Sequence, residues 1–123
     1  MKKLIILISA MLALSASACD WGKGLVSPVK ASIPAQREVD VPFDYRDCAA
    51  PASVSFTVVA QKSQSSFSVR VLDVVTGIEY VLDPTLPIGD IYSFPPLPAP
   101  GHFYFVELMN GSRGKITANV YAQ

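Results

Sequence analysis

Ten prolines spread through 123 residues leave this chain little room for helix. A proline inside a helix removes a hydrogen bond and clashes with the preceding turn, and in a sheet it is confined to edges and bulges. The segments between the prolines alternate with a period of two, the mark of half-buried strands. Val39, Val41, Phe43 and Tyr45 alternate with Asp40, Pro42 and Asp44. Because Pro42 cannot donate to a ladder, this strand belongs at a sheet edge with the proline outward. Val54, Phe56 and Val58 oppose Ser55 and Thr57, and Phe67, Val69 and Val71 alternate with Ser68 and Arg70. Thr76-Gly77 then turns the chain toward Ile78, Tyr80 and Leu82, giving a hairpin.

A short strand around Ile91 to Phe94 leads into Pro95-Pro96-Leu97-Pro98-Ala99-Pro100-Gly101, a stiff extended connection suited to crossing between two sheets. His102 to Met109 is apolar on both faces, as a central strand would be. Asn110-Gly111-Ser112-Arg113-Gly114 turns into a last strand carrying Ile116, Ala118 and Val120. The Asn110-Gly111-Ser112 triplet is formally a glycosylation acceptor, but its place in a hairpin turn explains it. The expected fold is all-β: an antiparallel β-sandwich of about seven strands over residues 38–123.

The start of the chain concerns address rather than shape. Lys2 and Lys3 precede an apolar run from Leu4 to Leu14, followed by the small residues Ser15-Ala16-Ser17-Ala18 and then Cys19. This is the make-up of a secretory signal peptide over residues 1–18. The run is short of the roughly 20 apolar residues that a spanning helix needs. Ala16-Ser17-Ala18-Cys19 resembles a bacterial lipobox, with Ala16 where leucine is usual. The resemblance implies that Cys19 becomes the lipidated, palmitate-bearing first residue of the mature chain. It further implies a lipoprotein of the bacterial cell envelope, held on a membrane and facing the periplasm or the surface. Asp20, next in line, would favour retention at an enterobacterial inner membrane.

A second reading of the same residues stays open. Ala16-x-Ala18 also suits ordinary signal cleavage, which frees Cys19 to pair with Cys48 in a soluble secreted domain. Closing that loop of about 30 residues would be worth roughly 3–4 kcal/mol. Residues 19–37 show no hydrophobic period and read as a flexible tether, whose stretch from Asp20 to Gln36 reaches roughly 55–60 Å when extended. Trp21 is its one aromatic residue, suited to a lipid interface.

The stretch Leu97-Pro98-Ala99-Pro100-Gly101-His102-Phe103-Tyr104, followed by Asn110-Gly111, is similar to the closing strands of pre-peptidase C-terminal and immunoglobulin-like modules. That resemblance implies an architecture and carries no site.

Function classes fall away by subtraction. Removing Lys2 and Lys3 from ten basic residues leaves eight against ten acidic ones, a formal charge of −2. No clustered basic surface is available for nucleic acid. No serine lies in G-x-S-x-G and no H-E-x-x-H occurs. Two cysteines do not make a structural zinc site, and Asp40, Asp44 and Asp47 lack the spacing of a calcium loop. His102 is the single histidine and reads as a strand-start residue. Among Asp73, Glu79, Asp83, Asp90 and Glu107 no spacing singles out a carboxylate pair. The expectation is therefore a protein that is not an enzyme and needs neither cofactor nor metal.

Binding remains. The leading expectation is a membrane-anchored accessory module contacting another envelope protein through the edge of Val39–Tyr45, the Ser63–Ser66 loop or the Pro84–Gly89 loop. A second class is carbohydrate or peptidoglycan binding, with Tyr92, Tyr121 and Trp21 as the rings available for stacking on a sugar. A third is a prophage- or plasmid-encoded envelope lipoprotein that blocks a receptor.

Overall fold

The computed structural model describes residues 28–47, 49–61, 66–81 and 91–123. It is an all-β sandwich, and no helix occurs among the described residues. The strands in chain order are β1 (Val29–Ile33), β2 (Arg37–Asp44), β3 (Ser53–Val54), β4 (Phe56–Ala60), β5 (Phe67–Asp73), β6 (Glu79–Val81), β7 (Ile91–Ser93), β8 (Leu97–Pro98), β9 (Phe103–Asn110) and β10 (Ile116–Ala122). One four-stranded sheet has the order β1-β10-β4-β7 and the other β2-β9-β5-β6, with β3 and β8 forming a small ribbon. Every adjacent pair is antiparallel. Two interlocked sheets wound in this order make an eight-stranded jelly roll. The order differs from the immunoglobulin arrangement, in which the sheets group other strands.

Alternation decides which residues enter the core. Val41 and Phe43, Phe56 and Val58, Val69 and Val71, Tyr104, Val106 and Leu108, and Ile116, Ala118 and Val120 all point inward and are buried. Phe56 joins the two sheets toward one end of the core, its ring 5.0 Å from Phe43 and 5.4 Å from Tyr104. Each of the valine, leucine, isoleucine and phenylalanine side chains adds about 1.5–3 kcal/mol of burial. As the alternation required, β2 is an edge strand with Pro42 exposed, and β9 lies inside its sheet. The proline-rich segment carries the chain from β7 in one sheet to β9 in the other, with Leu97 and Ala99 buried on the way.

The tether reading is corrected at its C-terminal half. Val29–Ile33 is strand β1, paired along its whole length with β10. Val29, Ala31 and Ile33 do alternate, but Pro28 and Pro34 hem in a run of five residues, too short to stand out against its neighbours. The domain therefore begins about ten residues before residue 38, and less of the chain is left to act as a spacer.

The connections fix two ends of the sandwich. At one end lie Val29, Asp44, Phe56, Asp73 and Phe103; at the other lie Ile33, Arg37, Ala60, Phe67 and Asn110. Asn110 holds the second end together. It is buried, and its Nδ2 donates to the carbonyls of Ile33 and Gly114 at 2.9 and 2.8 Å while its Oδ1 accepts from Ser112 N at 2.9 Å. A side chain so enclosed is no glycan acceptor. Gln36, at a φ of 61°, is a non-glycine residue in the left-handed region. Its side chain donates to Gly111 O at 2.6 Å, tying the β1–β2 turn to the β9–β10 turn.

Candidate protein interface

The outward face of the β2-β9-β5-β6 sheet collects groups that single strands do not reveal. Register lines up Asp40, Glu107, Arg70 and Val81 in one row across all four strands. Pro42, Phe105, Leu72 and Glu79 form the next row, and Glu38, Met109 and Ser68 flank the first on its other side. Asp44 and Phe103 close the face at the end where β2 finishes.

Arg70 is the hub. Its Nη1 lies 2.9 Å from Glu79 Oε1, its Nη2 3.3 Å from Glu38 Oε1 and its Nε 3.5 Å from Glu107 Oε1. Nη2 also sits 3.0 Å from Met109 Sδ. Arg70 Nε and Glu107 Oε1 are both shielded from solvent, and neither completes a hydrogen bond. Glu38, Asp40 and Glu107 bring carboxylate oxygens within 4.8 Å of one another. One guanidinium does not neutralise that many acids. Burial, reinforced by Asp40, raises the Glu38 carboxyl above its ordinary value. Burial raises Glu107 also, against the pull of Arg70 and with Glu38, Asp40 and Glu79 adding to the rise. The same three oxygens are the set that could hold a metal ion, but Arg70 already lends positive charge there.

The apolar half of the face is built from rings. Phe103 and Phe105 lie 4.9 Å apart, and the Arg46 guanidinium stands 4.5 Å over the Phe103 ring. Arg46 grips Asp44 with two hydrogen bonds of 2.9 Å, which hold that carboxyl below its ordinary value. Five carboxylates (Glu38, Asp40, Asp44, Glu79, Glu107) against two guanidiniums (Arg46, Arg70) leave the face with three negative charges in excess. Aromatic rings, methionine and arginine are the residue types enriched where proteins meet.

Of the regions singled out in the sequence, Val39–Tyr45 runs along β2 and supplies the edge of this face. Cys19, Trp21 and Cys48 lie outside the described residues, as do most of the Ser63–Ser66 loop and the Pro84–Gly89 loop. Tyr92 pairs with inward-facing Val58, and its ring packs edge-on against Phe67 at 5.6 Å. Tyr121 pairs with outward-facing Thr57. Since Val58 and Thr57 are consecutive, the two tyrosines point to opposite sides of one sheet and form no joint platform for a sugar. Asp40 and Asp44, four residues apart on one strand, are about 13 Å apart along it and do not converge. In the sequence Glu79 and Glu107 stand without a partner, and neither Arg70 nor Glu38 is singled out as a site residue. Their alternation showed them facing outward, but only the β5–β9 register brings them together.

His102 has a structural task. Its Nδ1 donates to Asp73 Oδ2 at 2.7 Å, and its ring stacks on Tyr104 at 5.9 Å. Asp73 is buried and its other oxygen accepts from Val75 N and Thr76 N at 3.0 and 3.3 Å. Asp73 thus holds the β5–β6 turn with one oxygen and ties it to the start of β9 with the other.

The sequence matches no protein-family model and no curated protein. Among solved structures, the chain is similar to PliG of Aeromonas hydrophila, a periplasmic inhibitor of g-type lysozyme. The TM-score is 0.51 at 17% identity, covering 82% of this chain and 90% of that one. The mitogen of Yersinia pseudotuberculosis gives a TM-score of 0.49 at 10% identity, over 77% of this chain and 83% of its own. A designed double-stranded β-helix gives 0.45 at 16% identity, over 78% and 97%. The likeness to PliG is one of fold.

Proposed function

We propose that this chain is a lipid-anchored protein of the bacterial envelope, without catalytic activity, that works by binding another protein. The binding surface is the outward face of the β2-β9-β5-β6 sheet. The observation that carries this reading is the crowding of Glu38, Asp40, Glu79 and Glu107 around one arginine, beside the half-buried ring pair Phe103–Phe105. Such a face is electrostatically incomplete and presents apolar area next to its charges. A partner bringing lysine or arginine would relieve the carboxylates and cover the rings. The signal-like start and the lipobox-like Ala16–Cys19 support export and anchoring. PliG supports the reading by example, since a protein of the same fold acts in the periplasm on another protein.

Photo-cross-linking in intact cells tests it. A benzoyl-phenylalanine replaces Val81 or Pro42 on this face, or Thr117 on the outward face of the other sheet. The expected result is one common adduct from Val81 and Pro42, absent from Thr117 and lost in the double variant Glu38→Lys, Glu107→Lys. Adducts from Thr117 alone, or from none of the three, would contradict the reading.

A further inference from the structure

Among the described residues, five large hydrophobic side chains are exposed, and three of them, Val74, Val75 and Ile78, share the β5–β6 turn at 44, 54 and 50% exposure. The turn carries no charged side chain between Val74 and Ile78. Its backbone N–H groups are also supplied from within. Val74 N donates to Phe103 O at 2.8 Å and Gly77 N to Asp73 O at 2.7 Å. Val75 N and Thr76 N donate to Asp73 Oδ1, and Ile78 N donates to Thr76 Oγ1 at 3.3 Å. Every backbone donor of the tip is thus paired without water, which lowers the cost of entering a low-dielectric medium.

The tip occupies the end of the sandwich where the chain arrives. Val29 begins β1 at the end that holds Asp44, Phe103 and Asp73. Cys19 lies nine positions before Pro28 (28 − 19), a covalent reach of at most about 30 Å. A domain held that closely by its N-terminus keeps this end toward the anchor, so a contact that would be weak for a free protein becomes intramolecular in effect.

We infer that the Val74–Ile78 turn rests in the interface of the bilayer that holds the N-terminal lipid, a contact that rests on Cys19 being acylated. The tip fixes the tilt of the sandwich and leaves the acidic sheet face directed sideways, open to a partner. Exposed apolar loops that lie in a lipid interface act through buried apolar area.

The test uses full-length lipidated protein in vesicles of phosphatidylethanolamine and phosphatidylglycerol. An NBD fluorophore is attached at Val75→Cys or, at the far end, Arg113→Cys, each in a Cys48→Ser background. The expected result is severalfold stronger quenching by doxyl-labelled lipid at position 75 than at position 113. Val74→Ser with Ile78→Ser should abolish the difference while the protein stays on the vesicles. Equal quenching at both positions on vesicle-bound protein would overturn the tip contact and leave anchoring intact. Protein that does not remain with the vesicles would overturn both.

Discussion

Arg70 stands directly opposite Glu107 in the β5–β9 ladder, with Nε 3.5 Å from Oε1 and no hydrogen bond completed between them. The two are held together by charge in a place where four acids compete for one guanidinium. Because both Arg70 and its partners retain some exposure, each pair adds only about 0.2–1 kcal/mol. The cluster is a weak stabiliser of the fold and a strong source of local field.

Glu107→Gln should therefore alter the pH dependence of stability more than stability itself. Burial places the folded-state value of Glu107 above its unfolded value near 4.5. The group thus contributes stability that is fully present below about 4.5 and lost as pH rises through the higher folded value. The variant should remove that loss between mildly acidic and neutral pH, with a change at pH 7 under about 1 kcal/mol. Urea unfolding of both proteins across this range checks it.

Tyr45 governs the alkaline side. Burial pushes its hydroxyl from 10.0 up to about 12, so the unfolded chain releases this proton first. Stability should fall as pH rises from about 10 to about 12, by about 1–2 kcal/mol from this residue. Tyr45→Phe should flatten that part of the curve, leaving a residue of it from Tyr104, which burial also raises. Alkaline unfolding followed by circular dichroism measures both.

Asp73→Ala removes the acceptor for His102 Nδ1, Val75 N and Thr76 N together. Leaving these donors unpaired should cost about 2–4 kcal/mol. Hydrogen exchange should show the amides of 75 and 76 losing protection first, ahead of the β9 core.

Asn110→Ala strips donors from the Ile33 and Gly114 carbonyls and an acceptor from Ser112 N. A loss of about 2–3 kcal/mol is expected, measured by chemical denaturation. A surface change of similar size, Val81→Ala at 64% exposure, should stay within about 0.5 kcal/mol.

Much of the fold was legible because one-face burial imposes a period of two. Val39 to Tyr45, Phe67 to Val71, His102 to Met109 and Ile116 to Val120 all became strands with the inward residues expected. β1 was not legible, since five residues between two prolines give alternation too little length to register. The jelly-roll order was not legible either: pairing Val29 with Val120 joins opposite ends of the chain, and no local pattern encodes it. The interface suffered the same limit. Arg70 and Glu107 are 37 positions apart (107 − 70), so their meeting is a property of register. Tyr92 and Tyr121 show the converse, two plausible rings that a one-residue offset sends to opposite faces.

Intact mass of the mature protein, recovered separately from membrane and soluble fractions, tests the anchored binding module most directly. The mass expected is that of a chain beginning at Cys19 and carrying diacylglycerol, found with the membranes and released from them by Cys19→Ser. An unmodified soluble chain with Cys19 joined to Cys48 would contradict it.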